Sequence, residues 1–395
     1  MSIFASSAAN ERSVYLLILA SILFAAVGSC FVTATFISSA RLVESTLLVG
    51  VPSTLYYLAT SVGALINPKV VNLHGRKTTL WVAFPAIACG GLLSWYALEA
   101  MSFGLFATGA VLIGLGAGLL MSLRFYAVDL ASPDKVVLVI SIVTGSGLIG
   151  NLIGPMLASL GDFDDLGIAF LVISCIGVLG LVIASPIKNV TLEGGTSIRF
   201  NREELVQAYR HRSTALATLN AGIAWFMMTS IMVSGPHVML QLQAESSSIS
   251  MSMQAHFLAM FIPVLLASKL VALVGMQQLV RLAYVLLGVT IALPLAFGQN
   301  ILTIAVIMIT VGLGWGVLIV FASTQIAQVA PAQKVMVQSF HDSLTILISA
   351  FAAGFSGWLA QAYGLTALAV LNGMALLMFV LLRFRVARLR QEVPG

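Results

Sequence analysis

The stretch "PIKNVTLEGGTSIRFNREELVQAYRHR", residues 186–212, is the longest polar passage in a chain of 395 residues, and it divides the sequence into two apolar halves. The whole chain is 59% hydrophobic and only 8% charged, with a mean hydropathy of +1.05. A soluble protein carries about 25% charged residues, so this composition excludes a soluble enzyme or binding module. The apolar runs are continuous and about 20 residues long, enough to cross a bilayer as helices. They lack the period-2 alternation of an outer-membrane barrel. In lipid each backbone amide and carbonyl must be satisfied within its own helix. The expected fold is therefore an all-α polytopic membrane protein.

Twelve spans are expected, six on each side of the polar passage: 14–38, 46–67, 78–98, 102–123, 136–160 and 166–185, then 214–239, 252–273, 280–298, 300–322, 337–359 and 364–384. The predicted organisation is a six-helix half over 1–185, a linker over 186–213 and a second six-helix half over 214–395. Within the linker, "NREELVQAYRH" has the pattern of a short amphipathic surface helix. The first apolar run is too long for the core of a cleavable signal, and a second follows at once.

Basic residues set the orientation. With the N-terminus inside, 18 of the 19 Lys and Arg residues fall in cytoplasmic segments, and only Arg41 falls outside. That asymmetry predicts both termini and the linker on the cytoplasmic side. The formal charge of +5 is thereby a topological signal and no argument for nucleic acid. Asp162, Asp164 and Asp165 crowd one short outer loop and read as a solvated turn. Cys30, Cys89 and Cys175 all fall in expected spans, an odd, unpaired and buried set that offers no disulfide framework. No nucleophile–base arrangement or phosphate loop stands out, so enzymatic function is not expected.

The halves repeat at an offset close to 200. Lys69 and Gly75 answer Lys269 and Gly275; "GLGAG" at 114–118 answers "GLGWG" at 312–316; Pro133 and Lys135 answer Pro331 and Lys334; Gly154 answers Gly354. Two six-helix halves in parallel repeat are the plan of major facilitator transporters. Two motifs carry the same resemblance. "PKVVNLHGRK" (68–77) is similar to that superfamily's loop between spans two and three at Gly75, Arg76 and Lys77, with Asn72 where the family has Asp. "GSGLIGNLIGPMLAS" (145–159) is similar to its GxxxGP helix at Gly150, Gly154 and Pro155. The resemblance implies pseudo-symmetric halves that rock about a midplane site to alternate access.

The chemistry is concentrated in the second half. "MTSIM" and "HFLAM" place Met228 and Met232, then His256 and Met260, at i, i+4 spacing, so each pair lies on one helix face. Thioether and imidazole donors select copper(I) over hard cations. Met232 lies about seven residues inside the outer end of its span and His256 about four; at ~1.5 Å per residue the two depths differ by about one turn. Met228 and Met260 form a second rung, one turn deeper. The counterparts of the four in the first half are Gly28, Val32, Tyr56 and Thr60, so the donors are not a feature of the repeat itself. Seven of the 16 methionines lie between 225 and 260. His237, Met251 and Met253 stand near the outer mouth as accessory entry ligands, and Cys30 is a candidate thiolate from the first half.

This pattern resembles the CcoA-like copper importers within the superfamily, which supply copper for haem–copper oxidase assembly in bacterial inner membranes. The resemblance implies a copper-transporting protein of the inner membrane, with copper as substrate and no resident cofactor. The bilayer is its surroundings and a cytoplasmic copper chaperone a candidate partner. His341 and Asp342, about one turn inside span eleven, are candidates for proton coupling, because intramembrane ionisable groups are functional suspects by default. Arg124 at the inner end of span four reads as a snorkelling side chain. Two other readings stand beside copper import: a proton-coupled carrier or antiporter of a small organic molecule, and a non-transporting metal sensor or assembly factor. The orientation is directly testable. Reporter fusions at Glu193 and Gly395 should both be active only on the cytoplasmic side; an external signal at either would overturn the assigned topology.

Overall fold

The computed structural model describes residues 4, 7–43, 48, 50–158, 160, 167–191, 201–329 and 334–388. Asp162, Asp164 and Asp165 lie outside the described residues. Everything regular in the described chain is helical. The helices are α1 (Ala8–Leu42), α2 (Val51–His74), α3 (Lys77–Glu99), α4 (Phe103–Leu120), α5 (Leu123–Leu130), α6 (Val136–Gly145), α7 (Gly147–Ala158), α8 (Gly167–Ala184), α9 (Arg202–Arg210), α10 (Arg212–Gln241), α11 (Ser246–Leu265), α12 (Ala267–Val274), α13 (Met276–Phe297), α14 (Ile301–Ala327) and α15 (Lys334–Arg388), with a single 3-10 turn at Pro133–Lys135.

Among the described residues, ten helical stretches are long and apolar enough to cross a membrane, and eleven if the bent pair Met251–Leu265 and Ala267–Val274 is one span. The less apolar α2 occupies the place of the second expected span. The order and spacing follow the expected set of twelve, with three departures. The fifth span is two helices, α6 and α7, meeting at Ser146. Span eight does not run straight to 273: it bends by 62° at Leu266. Pro263 precedes that bend by three residues, and a helix-interior proline lacks the N–H for its ladder bond and crowds the preceding turn. Finally, α15 holds spans eleven and twelve in one helical run, broken only at Gly364 with φ 74°. There a left-handed backbone places the amide of Leu365 3.0 Å from the Gln299 side-chain oxygen that accepts from it.

Local signals explain the helix starts. Ser7, Ser102 and Asn300 precede α1, α4 and α14, and each side chain accepts from the amide three residues on, which satisfies a donor the helix leaves open. The amphipathic α9 buries Leu205 and Ala208 and ties Tyr209 to Thr218 of α10 through their hydroxyls at 3.0 Å.

The chain forms two compact units. One is Met1–Asn201 with Val335–Ile346; the other is Arg202–Lys334 with Leu347–Gly395. In the first unit α4 packs on α2 and α3, α1 on α7, and α3 on α8; in the second, α14 is the central helix, packed by α10, α11 and α13. Small residues set these approaches, as they do generally between membrane helices. A Cβ on Gly91 would lie 2.7 Å from both the Phe170 carbonyl and the Ser174 amide of α8, whereas one on Gly288 would meet nothing within 4 Å. Gly91→Val should therefore cost on the order of 1–3 kcal/mol through overpacking and lower the melting temperature of purified protein. Gly288→Ala should leave it unchanged or raised. Equal melting for the two variants would contradict this packing.

Candidate functional site: a soft-donor ladder and a buried charge network

The two units repeat each other at the positions of the candidate donors. In the first, Gly114 lies against the backbone carbonyl of Tyr56 and Gly118 against that of Thr60. In the second, Gly312 lies against the carbonyl of His256, where a Cβ would be 3.0 Å away, and Gly316 against that of Met260. These are the glycines of "GLGAG" and "GLGWG", and their partners are the expected counterparts. The same device thus presses the donor-bearing helix α11 onto α14. Gly28 and Tyr56, the counterparts of Met228 and His256, also meet: the Tyr56 hydroxyl is 3.4 Å from where a Cβ on Gly28 would be.

Met228, His256 and Met260 are buried, and Met232 is half-buried. The His256 Nδ1 stands 2.7 Å from the carbonyl oxygen of Met308 on α14. A carbonyl can only accept, so Nδ1 carries the hydrogen, and a neutral ring then presents a lone pair at Nε2. That Nε2 is buried and has no hydrogen-bond partner among the described residues. A buried polar atom left unpaired calls for an explanation.

The structure corrects one part of the sequence reading. Helices α10 and α11 do not form a directly facing pair; each packs mainly on α14 and only lightly on the other. The helices that carry the two pairs therefore both pack on a third, α14, which the sequence reading missed. Met308 is fully buried, and its Sδ lies 3.2 Å from where a Cβ on Gly235 of α10 would be, while its carbonyl holds His256. Further along α14, the Trp315 ring meets Trp225 of α10 edge-on at 5.3 Å and Phe261 of α11 at 5.8 Å between centroids. Trp315 stands where the first half has Ala117, and the difference between "GLGAG" and "GLGWG" was the available signal. His256 thus lies beside Met308, and Trp225, Trp315 and Phe261 form an aromatic group further along the same three helices. Among the described residues no three His, Cys, Asp or Glu side chains come together as a metal-binding group, so a metal ion here would depend on thioether sulfur.

The accessory candidates are dispersed. Cys30 is buried in the first unit, its Sγ 3.7 Å from the Ala169 carbonyl, which suits packing. Cys89 and Cys175, expected to be buried, are exposed instead, because they lie on the outer faces of α3 and α8. Met251 is exposed, Met253 half-buried, and the side chain of His237 lies outside the described residues.

The first unit holds a second constellation. Arg76, 1% exposed, pairs with Asp129 at 2.8 Å and donates to the Gln338 side chain at 2.8 Å. The loop glycine before it, Gly75, has φ 92°, and the Lys77 ammonium donates to the Ser185 carbonyl at 2.6 Å. Arg124 does not snorkel to an interface; it forms an ion pair with Asp342, a carboxylate 218 residues away in sequence. His341 beside it is buried, and Ser61 and Ser343 join by their hydroxyls at 3.0 Å. Asn72 thus removes the family carboxylate without leaving Arg76 unpaired, since Asp129 supplies one. On the opposite flank, Gly154 of α7 lies against α1, where a Cβ would be 2.8 Å from the Cys30 amide, and Gly150 meets the same helix at Ile22, Ala25 and Ala26. Pro155 follows within α7.

Removing one member of a buried ion pair strands the other, at a cost of about 3–5 kcal/mol, whereas removing both is much milder. Arg124→Gln should therefore lower the melting temperature more than the double variant Arg124→Gln/Asp342→Asn does. Additive losses would mean that the pair contributes no coupling.

Comparison with known proteins agrees with this architecture. The chain is similar to the riboflavin transporter RfnT of Brucella anthropi, 24% identical over 363 residues that cover 90% of this chain and 91% of the other. It is also similar to YdeG of Bacillus subtilis, an uncharacterized MFS-type transporter, at 22% over 357 residues, 84% of this chain and 81% of the other. Among solved structures, the human organic anion transporter MFSD10 superposes with a TM-score of 0.75 at 15% identity, covering 95% of this chain and 100% of that one. A bacterial homologue of the iron transporter ferroportin, in its outward-facing state, does so with a TM-score of 0.71 at 14% identity, covering 95% and 99%. These structures share the fold alone. Residues 16–334 match the Major Facilitator Superfamily, and with that match spanning most of a chain built as two helical units, the protein belongs to this superfamily of membrane transporters.

Proposed function

We propose that this transporter carries copper, as copper(I), inward across a bacterial inner membrane, passing it from Met232 and His256 to Met228 and Met260. The observation that carries the reading is the state of His256. A metal-bound histidine almost always donates its second ring N–H to a carboxylate or backbone carbonyl, which fixes the ring and aims the other nitrogen. His256 has that arrangement through Met308, with Nε2 unpaired in a buried setting and a thioether one turn along the same helix. Four neutral ligands leave a single positive charge to bury, which is less costly than a divalent ion. Weak thioether sites also release their ion by stepwise exchange more readily than a thiolate cage. The ion pair of Arg124 and Asp342 is the candidate for energy coupling: proton arrival at Asp342 would free Arg124 and loosen the start of α15.

A second reading is a carrier of a small organic molecule. The full-length similarity to a riboflavin transporter favours it, and in that case the coupling pair would matter and the soft donors would not.

One experiment separates the two. Cells lacking their own high-affinity copper uptake would be supplied with the chain and followed for radio-copper and radio-riboflavin accumulation. Copper should accumulate, and His256→Leu or Met232→Leu should reduce that by at least tenfold at normal membrane abundance, because Leu keeps the apolar volume and removes the donor. Unchanged copper uptake in a variant lacking all four donors would overturn the copper reading, and riboflavin accumulation blocked by Asp342→Asn would support the organic one.

A further inference from the structure

The second unit contains a cavity of about 620 Å³ at the end where α10 and α13 begin and α14 finishes. Arg212 and Ser213 reach it from α10, Gln277 and Arg281 from α13, Gln325 from α14, and Arg383 from the last part of α15. Three guanidinium groups from three separate helices line one concavity, and among the described residues no Asp or Glu lines it. Two arginines of the first unit, Arg76 and Arg124, each hold a carboxylate instead. A bias of Lys and Arg toward the cytoplasmic side explains why basic residues occur at helix ends. It does not explain their convergence around one space, where like charges repel.

One of the three is also held in place. The Arg383 guanidinium stacks over the Tyr284 ring at 5.0 Å and lies 3.5 Å from the side-chain oxygen of Asn220. The Tyr284 hydroxyl donates to that same oxygen at 2.6 Å, and Asn220 is 1% exposed. A guanidinium stacked on an aromatic ring and tethered to a buried amide is fixed before any ligand arrives, so little further ordering is needed on binding. Planar guanidinium groups engage phosphate oxygens in pairs, and the two glutamine amides and the Ser213 hydroxyl offer further donors.

We propose that this cavity is a binding site for a phosphate-bearing anion, distinct from the copper ladder and from the charge network of the first unit. The phosphate has two possible sources: the headgroup of an anionic phospholipid reaching in from the membrane, or a free phosphate ester from the cytoplasm. Bound there, it would offset part of the charge of the three arginines and tie α10, α13 and the end of α15 together, stabilising this unit by mass action.

The test uses the full-length protein purified in a mild detergent. Thermal stability and native mass spectra would be recorded with phosphatidylglycerol, with phosphatidylcholine, with glycerol 3-phosphate and with inorganic phosphate. The wild type would be compared with Arg212→Gln/Arg281→Gln and with Lys269→Gln/Arg385→Gln, which removes the same charge outside the cavity. Preferential retention of phosphatidylglycerol, weakened at least tenfold in the cavity variant and intact in the control, assigns the site to a lipid headgroup. Stabilisation by glycerol 3-phosphate or inorganic phosphate with the same dependence assigns it to a soluble anion. The proposal is overturned if no anionic phosphate probe is preferred over phosphatidylcholine, whose phosphate is balanced by its own ammonium group, or if the two variants bind the preferred probe equally.

Discussion

Hydrocarbon offers no hydrogen-bond partner to a backbone amide or carbonyl, and this one constraint governs the rest of the molecule. It makes every regular element helical. It also leaves few means of positioning a side chain, because helices in lipid gain nothing from hiding apolar surface from water and must be held by close packing instead. Glycine supplies that closeness here. Gly312 and Gly316 bring α14 against the carbonyls of His256 and Met260, and only then does the Met308 carbonyl reach the His256 ring. The placement of His256 against Met308 is thus a consequence of how two backbones touch.

Much of the fold was legible because apolar run length is a property of single segments. The repeat was legible for a related reason: the glycines of "GLGAG" and "GLGWG" perform the same task against counterpart residues in each unit. The bend at Leu266 was readable in principle from Pro263, which sits well inside an apolar run. The break of the fifth span at Ser146 and the exposure of Cys89 and Cys175 were not, since they depend on which face of each helix meets a neighbour.

The site was legible only in part, for the same physical reason. Spacing along one helix puts Met228 with Met232 and His256 with Met260, but it says nothing of the helix that lies against both pairs. Met308, an ordinary methionine in an apolar run, acquires its role through its backbone carbonyl, which no side-chain pattern reports. Arg124 and Asp342 were each visible, and the pairing across 218 positions was not. That pairing turns a side chain read as snorkelling into one member of a buried ion pair.

The central claim is that His256 Nε2 and thioether sulfur together hold copper(I). X-ray absorption at the copper edge of the purified, copper(I)-loaded transporter tests it most directly. The account predicts a first shell of thioether sulfur with one nitrogen, the nitrogen contribution vanishing in His256→Leu and the sulfur contribution falling in Met260→Leu. A shell of nitrogen and oxygen only, or spectra unchanged by both substitutions, would contradict it.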